Sequence, residues 1–168
     1  HGMSSLYRLS VEQVNPISDI YGITLRSRLA LAGGFTELQA GEMAKAKVSS
    51  ERAAMFLQDA REKFAKVKQI GMTGQHKVLI EQMAAAFEPY FDAVDKTAEQ
   101  LQKGNAQDYI TANLIARDAN AACYEVMMRF MEQAQLTNSQ FMADSSDSYS
   151  TTTWLSLSFL VVALLMLV

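Results

Sequence analysis

The chain is short of most residues that mark a catalytic or metal-binding domain. Cys123 is its one cysteine in 168 residues, which excludes an internal disulfide framework and any CxxC or CxxCH site for zinc, redox work or haem attachment. Histidine occurs twice, as His1 and His76, and no Glu-x-x-His pair exists for a di-iron bundle. There is no Ser/His/Asp order, P-loop or glycine fingerprint. Without an acid/base or metal constellation the chain does not read as an enzyme, and no cofactor is implied. A basic excess is missing as well. Fifteen Lys+Arg against 18 Asp+Glu give a net charge of −3, whereas a nucleic-acid binder needs a basic face for the phosphates, so no nucleic-acid partner is expected. Prolines number two, and short alternating runs with NG or DG turns are absent, which removes any strand candidate.

What is present is apolar and unevenly spread. Apolar residues make up 49% of the chain, and thirteen of the last fifteen positions, WLSLSFLVVALLMLV, belong to them. Asp147 is the last charge, leaving 148–168 as 21 uncharged residues. As a helix at about 1.5 Å per residue, that run reaches roughly one hydrocarbon thickness. Tyr149 and Trp154 stand where an interfacial aromatic belt is expected, and the flank before them carries Asp144 and Asp147 without Lys or Arg. Cytoplasmic flanks are enriched in Lys/Arg, so this flank reads as the outer side and the domain as periplasmic, held at the inner membrane. The division expected is a cloning remnant at 1–3 (His1-Gly2-Met3), a sensor-sized helical domain over 4–153, and the start of a membrane helix at 154–168, cut off within the span. A hydrophobic helix packed on its own bundle is the alternative for the last segment.

The rest reads as four helices. Helix 1 is predicted over about residues 5–39, with Val14, Ile17, Tyr21, Leu25, Leu31, Phe35 and Leu38 on one stripe and Asn15-Pro16 as a point of kinking or restart. A connection around 40–48 contains Gly41, and helix 2 is predicted to start at a Ser49/Ser50 cap and to carry Ala53, Phe56, Ala60, Phe64, Val67 and Ile70 before Gly71. Helix 3 follows Thr73-Gly74, with Leu79, Met83, Phe87, Tyr90, Val94, Thr97 and Leu101, and ends at Gly104. Pro89 within it removes a backbone hydrogen bond and is expected to bend it, at a cost of about 3 kcal/mol if uncompensated. Asn105 and Asp108 cap helix 4, whose stripe Ile110, Leu114, Ala121, Tyr124, Met128 and Met131 runs on without a strong breaker toward the apolar tail. Short turns imply an all-α, antiparallel up-down-up-down four-helix bundle, with helix 4 continuing into the membrane segment.

Two arginines interrupt these stripes. Arg28 lies within Tyr21, Leu25, Leu31 and Phe35, and Arg117 within Ile110, Leu114, Ala121 and Tyr124. A guanidinium does not shed its proton, so a buried one must find an anion or several carbonyls. Either the two arginines are bundle ion pairs, with Asp19 and Asp118 as available partners, or snorkelling side chains at a dimer seam, or one or both await the carboxylate of a small ligand, gripped by two parallel hydrogen bonds. Tyr109, Thr111, Asn113 and Asn120 near the start of helix 4 are candidate polar contacts. Cys123, among Ala121, Ala122 and Tyr124, reads as a small core residue, and the methionines as gap-fillers.

The segments TLRSRLALAG (24–33), LQKGNAQDYI (101–110), NAACYEVMMRF (120–130) and DSSDSYSTTTWLSLSFLVVALL (144–165) resemble the periplasmic sensor of a methyl-accepting chemotaxis receptor of the four-helix-bundle class that includes the aspartate and serine chemoreceptors. The resemblance implies a homodimer that binds its ligand between helix 1 and helix 4 at the subunit interface. It gives Arg28 the ligand carboxylate, and Tyr109 with the residues after it the segment that binds the ligand's amino group through backbone carbonyls and a hydroxyl. Gly33 and Glu37 stand where aspartate-type receptors place two partner-subunit arginines, and Asn113 and Leu114 where they place a proline and a ligand-binding threonine. Arg117 is then a replacement charge, with Tyr21 and Tyr124 bordering a roomier pocket. That combination favours an organic acid, a dicarboxylate or an aromatic acid, over an α-amino acid. The resemblance further implies that helix 4 relays the signal to a cytoplasmic module with a histidine kinase and coupling protein. A sensor bundle of a membrane histidine kinase or cyclase, and a non-sensing structural membrane-tethered bundle, are the alternative readings.

Overall fold

The computed structural model describes residues 15–71 and 77–165, with side-chain surroundings for 15–69, 77–133 and 135–136. Four helices follow in order: α1 (Asn15–Gln39), α2 (Met43–Gly71), α3 (Lys77–Lys103) and α4 (Ala106–Leu165). No strand occurs among the described residues. The fold is the expected all-α four-helix bundle.

Two of the turns are built alike. Gly41 and Gly104 adopt positive φ of 78° and 72°, the left-handed geometry that only glycine takes without a Cβ penalty. At each, the glycine N–H donates to a carbonyl three residues back and the next N–H donates to one five back: Gly41 to Leu38 and Glu42 to Glu37, then Gly104 to Leu101 and Asn105 to Gln100. These are Schellman closures, which satisfy carbonyls that the helix end leaves without partners. The Asn105 side-chain oxygen accepts from the Asp108 N–H at 3.2 Å while its amide donates back to the Asp108 carboxylate, so the expected cap of α4 is present.

The start of α2 differs from the expectation. The turn spans Ala40–Glu42 alone, and the Glu42 carbonyl accepts from Lys45 and Ala46, placing Ser49 and Ser50 well inside the helix. Their hydroxyls bridge helices instead of capping one. Ser49 donates to the Glu37 carboxylate and Ser50 to the Ala98 carbonyl, both at 2.8 Å, and Ser27 donates to the Ala53 carbonyl at the same distance.

These contacts fix the register. Glu37 with Ser49, Ser27 with Ala53 and Asp19 with Lys63 run α1 antiparallel to α2, and Ser50 with Ala98, Arg61 with Asp92 and Lys68 with Glu88 do so for α2 and α3. Phe35 stacked on Tyr109 and the tilted ring pair of Tyr21 and Tyr124 align α1 antiparallel to α4. Packing is uneven: α1 lies closely on α2, and α3 on α4, while α1 meets α4 sparsely. Ala46, Ala53 and Ala60, seven apart and fully buried, let α2 approach α1 closely. Gly34 sits at the tightest point of that approach.

The helix-3 stripe is buried as expected, from Met83 through Phe87, Tyr90, Val94 and Thr97 to Leu101. Phe64, Phe87 and Phe91 form an aromatic layer with centroids 5.1–5.8 Å apart, each ring contributing about 1.5–3 kcal/mol by burial. On α4 the core face is Tyr109, Ala116, Cys123, Met127 and Phe130, not the expected stripe. Ile110, Leu114, Tyr124 and Met128 are instead exposed, because both faces of α4 are apolar and the middle of the inward one is marked by the small Ala116 and Cys123.

Helix α4 is continuous over 60 residues to Leu165. Among the described residues no helix is long and apolar enough to cross a membrane; residues 1–14, His76, the 166–168 end and the side chains of the 154–168 segment lie outside those described.

Adjacent glycines give a paired test. A Cβ at Gly33 meets nothing within 4 Å, whereas one at Gly34 comes within 2.8 Å of Ser49 Cβ and 3.3 Å of the Ala46 carbonyl. Gly33→Ala should stabilise the domain by about 0.5–1 kcal/mol, and Gly34→Ala should destabilise it by about 1–3 kcal/mol. Urea unfolding of the two variants checks both signs.

Candidate functional site

Arg28 extends from the middle of α1 into the sparse seam with α4. Its Nη2 donates to Asn113 Oδ1 at 3.5 Å, a long and weak contact. Its Nε is buried with no hydrogen-bond partner. Among the described residues no carboxylate pairs with it; Asp19, the acid available on the same helix, is held by Lys63 at 3.2 Å. A half-buried guanidinium left with one amide oxygen is an unbalanced cation, and protein interiors rarely tolerate one without reason.

Aromatic hydroxyls surround it. Tyr109 is 3% exposed and stacks on Phe35 with centroids 4.3 Å apart and planes 10° from parallel, which pins the start of α4 to α1. Tyr21 lies between two further rings, 6.4 Å from Tyr90 of α3 and 5.9 Å from Tyr124 of α4. Burial pushes the pKa values of Tyr21, Tyr90 and Tyr109 up, and the Arg28 cation pulls each part of the way back. Arg28 is near enough to Tyr90 to act on its charge, but the Tyr90 hydroxyl, fully buried, has no partner that meets hydrogen-bond geometry. Asn120, partly buried beside Tyr21, also keeps an unpartnered Oδ1.

The residues singled out in the sequence thus separate into two groups. Arg28, Tyr21, Tyr109, Asn113, Asn120 and Tyr124 gather in and over the α1/α4 seam. Thr111 and Arg117 stand on the outer surface of α4. The Thr111 hydroxyl donates to the Gln107 carbonyl of its own helix, and Arg117, 64% exposed, forms two 3.2 Å bonds with Asp118. Arg117 therefore matches the ion-pair alternative, whereas Arg28 does not. Glu37, half-buried, accepts from Ser49, and Gly33 is exposed. The sequence shows Tyr90 as one more member of the α3 core stripe, whose spacing of three and four leaves no mark of a hydroxyl next to Arg28.

Cys123 is fully buried and its thiol is pushed up to about 12 by desolvation, so it stays an inert core group. No cluster of His, Cys, Asp and Glu suited to a metal occurs among the described residues. Grooves of about 480 Å³ lie between α2 and α3, by Ser50, Asp95 and Glu99, and between α3 and α4, by Met83, Arg129 and Phe130. Neither includes Arg28.

A family model for the Tar ligand-binding domain homologue, TarH, matches residues 1–148. The chain belongs to the TarH family. Comparison with curated proteins gives no match. The TarH bundle is a chemoreceptor sensor domain, and its family is one of sensors, not enzymes.

The tyrosines give a pH test. A phenol whose pKa is raised by folding stays neutral in the native state, so its contribution to stability is complete below the unfolded value near 10 and is lost as pH rises through the folded value. Ultraviolet titration should show the phenols of Tyr21, Tyr90 and Tyr109 ionising only above the ordinary tyrosine range, together with loss of helicity. Ionisation of these phenols within that range with helicity intact would contradict the buried assignments.

Proposed function

We propose that this TarH domain is the periplasmic sensor of a chemoreceptor at the inner membrane, and that it binds a small carboxylate through Arg28 at the α1/α4 seam of a homodimer. The observation that carries this reading is the half-buried Arg28 guanidinium without a carboxylate partner in a ligand-binding family. A ligand carboxylate supplies the missing anion in two parallel hydrogen bonds. Tyr21, Tyr109 and Tyr124 give the seam aromatic walls, which suits an organic acid, either a dicarboxylate or an aromatic acid. Asn113 and Asn120 offer polar contacts from α4, and Thr111 and Arg117, outward on a single protomer, face the second subunit.

The outward stripe of Ile110, Leu114, Tyr124 and Met128 is the surface that the second subunit covers. An exposed apolar stripe of this kind calls for a partner. A site completed by two subunits also fits the absence of Arg28 from the grooves described on one protomer.

Signal transfer requires a rigid element with two positions that ligand weights differently. Helix α4 is that element: it forms one wall of the seam and is unbroken to Leu165. It continues as the membrane span over 154–168 and acts, through a cytoplasmic module, on a histidine kinase and its coupling protein. The structural-tether reading needs Arg28 as well as Arg117 matched by internal acids. Arg117 has Asp118; Arg28 has none among the described residues.

Calorimetric titration with dicarboxylates, aromatic acids and α-amino acids tests the reading. Arg28→Ala should weaken binding at least about thirtyfold, the loss expected when one partner of a desolvated charge pair is removed, with far-ultraviolet circular dichroism unchanged. Unaltered affinity in that variant, or binding of amino acids alone, overturns it. Sedimentation should show dimer favoured by the bound acid.

A further inference from the structure

Three polar atoms are buried without a partner among the described residues: Arg28 Nε, Tyr90 Oη and Asn120 Oδ1. They come from three helices, α1, α3 and α4, yet share one neighbourhood around the Tyr21 ring. Tyr21 packs against Tyr90 at 6.4 Å, borders Asn120, and lies within the field of Arg28. Orphaned buried groups are uncommon in native interiors, each costing free energy that a partner would restore; Arg28 lies within reach of the Tyr90 hydroxyl and Asn120 within reach of Tyr21, yet these three atoms are left without an aligned partner, so one ligand can meet all three. Their chemistry is specific: one N–H that can only donate, one phenol that can donate, and one amide oxygen that can only accept.

From this convergence we infer that Tyr90 and Asn120 form the inner wall of the Arg28 site and select a carboxylate that bears a hydroxyl group. The inference rests on the Arg28 reading given above and adds α3 to the helices that meet the ligand. The Arg28 Nε–H and the Tyr90 hydroxyl donate to the carboxylate, and Asn120 Oδ1 accepts the ligand hydroxyl. A plain carboxylate satisfies the two donors and leaves the amide oxygen alone. An α-amino acid places an ammonium beside Arg28, which like charge disfavours. The rings lead inward in order of exposure, from Tyr124, 48% exposed, through partly exposed Tyr21 to Tyr90, fully buried.

The test uses matched probes that differ by one hydroxyl: succinate against malate, and benzoate against 2-hydroxybenzoate, titrated calorimetrically into the domain. In at least one pair the hydroxylated acid should bind about tenfold tighter. Tyr90→Phe keeps the ring and removes the orphan, so its unfolding temperature without ligand should match or exceed that of the unaltered protein, while affinity for the bound acid falls about tenfold. Asn120→Ala should abolish the preference for the hydroxylated member. The inference is overturned if Tyr90→Phe lowers the unfolding temperature, which would mean a structural hydroxyl, or if it leaves affinity unchanged. It is overturned equally if Asn120→Ala keeps the preference or if none of the four probes binds. Its failure is distinguishable from that of the Arg28 reading: in the first case Arg28→Ala still loses binding while Tyr90→Phe does not, and in the second Arg28→Ala itself binds normally.

Discussion

One unbalanced charge organises this molecule. Arg28 is carried into a seam between helices where the Asn113 amide oxygen at 3.5 Å and the nearby Tyr90 hydroxyl are its polar neighbours, no carboxylate pairs with it among the described residues, and its Nε has no aligned partner. Most other cations on the bundle that form ion pairs do so with acids at the surface, as Arg61 does with Asp92 and Lys63 with Asp19. Such exposed pairs contribute little, about 0–1 kcal/mol. Arg28 is different in kind, because partial desolvation makes its unmet hydrogen bonds costly and any anion that reaches it correspondingly well held.

The packing around the seam supports that role. Helices α1 and α2 are drawn together by buried alanines, by Gly34, and by the Ser27 hydroxyl donating to the Ala53 carbonyl and Ser49 to the Glu37 carboxylate, leaving little slack. Where α1 meets α4 the contact is sparse and made by aromatic rings and amides. A TarH bundle so divided has two tight pairs, α1 with α2 and α3 with α4, and a sparse seam where α1 meets α4. In the sensing role proposed, a ligand bridging that seam biases the position of α4 without having to deform a close-packed core.

Much of this architecture was legible in the residues. Gly41 and Gly104 announced turns because left-handed backbone needs glycine, and Asn105 with Asp108 announced the start of α4. The α3 stripe was clear because its apolar residues fall on one face alone. The start of α2 was misplaced since Ser49 and Ser50 look like caps, while their hydroxyls serve contacts with Glu37 and Ala98 that no local pattern encodes. The α4 stripe was assigned to the wrong side for a related reason. Ala116 and Cys123 fill the inward face with little bulk, and the larger Leu114, Tyr124 and Met128 point outward. At the candidate site, the interruption of an apolar stripe at Arg28 was visible, and Arg117 gave the same signal although it lies on the surface with Asp118. Tyr90 was hidden, because a hydroxyl beneath a guanidinium depends on the approach of α3 to α1.

The central claim, that Arg28 is uncompensated until an anion arrives, is tested most directly by Arg28→Met, which keeps the chain's bulk and removes its charge. Urea unfolding of this variant should show stability equal to or above that of the unaltered domain, since an unmatched, partly buried cation has been removed, and added carboxylate should no longer raise it. A loss of about 2 kcal/mol or more in the absence of ligand would contradict the claim, for it would mean that the cation is already matched within the bundle.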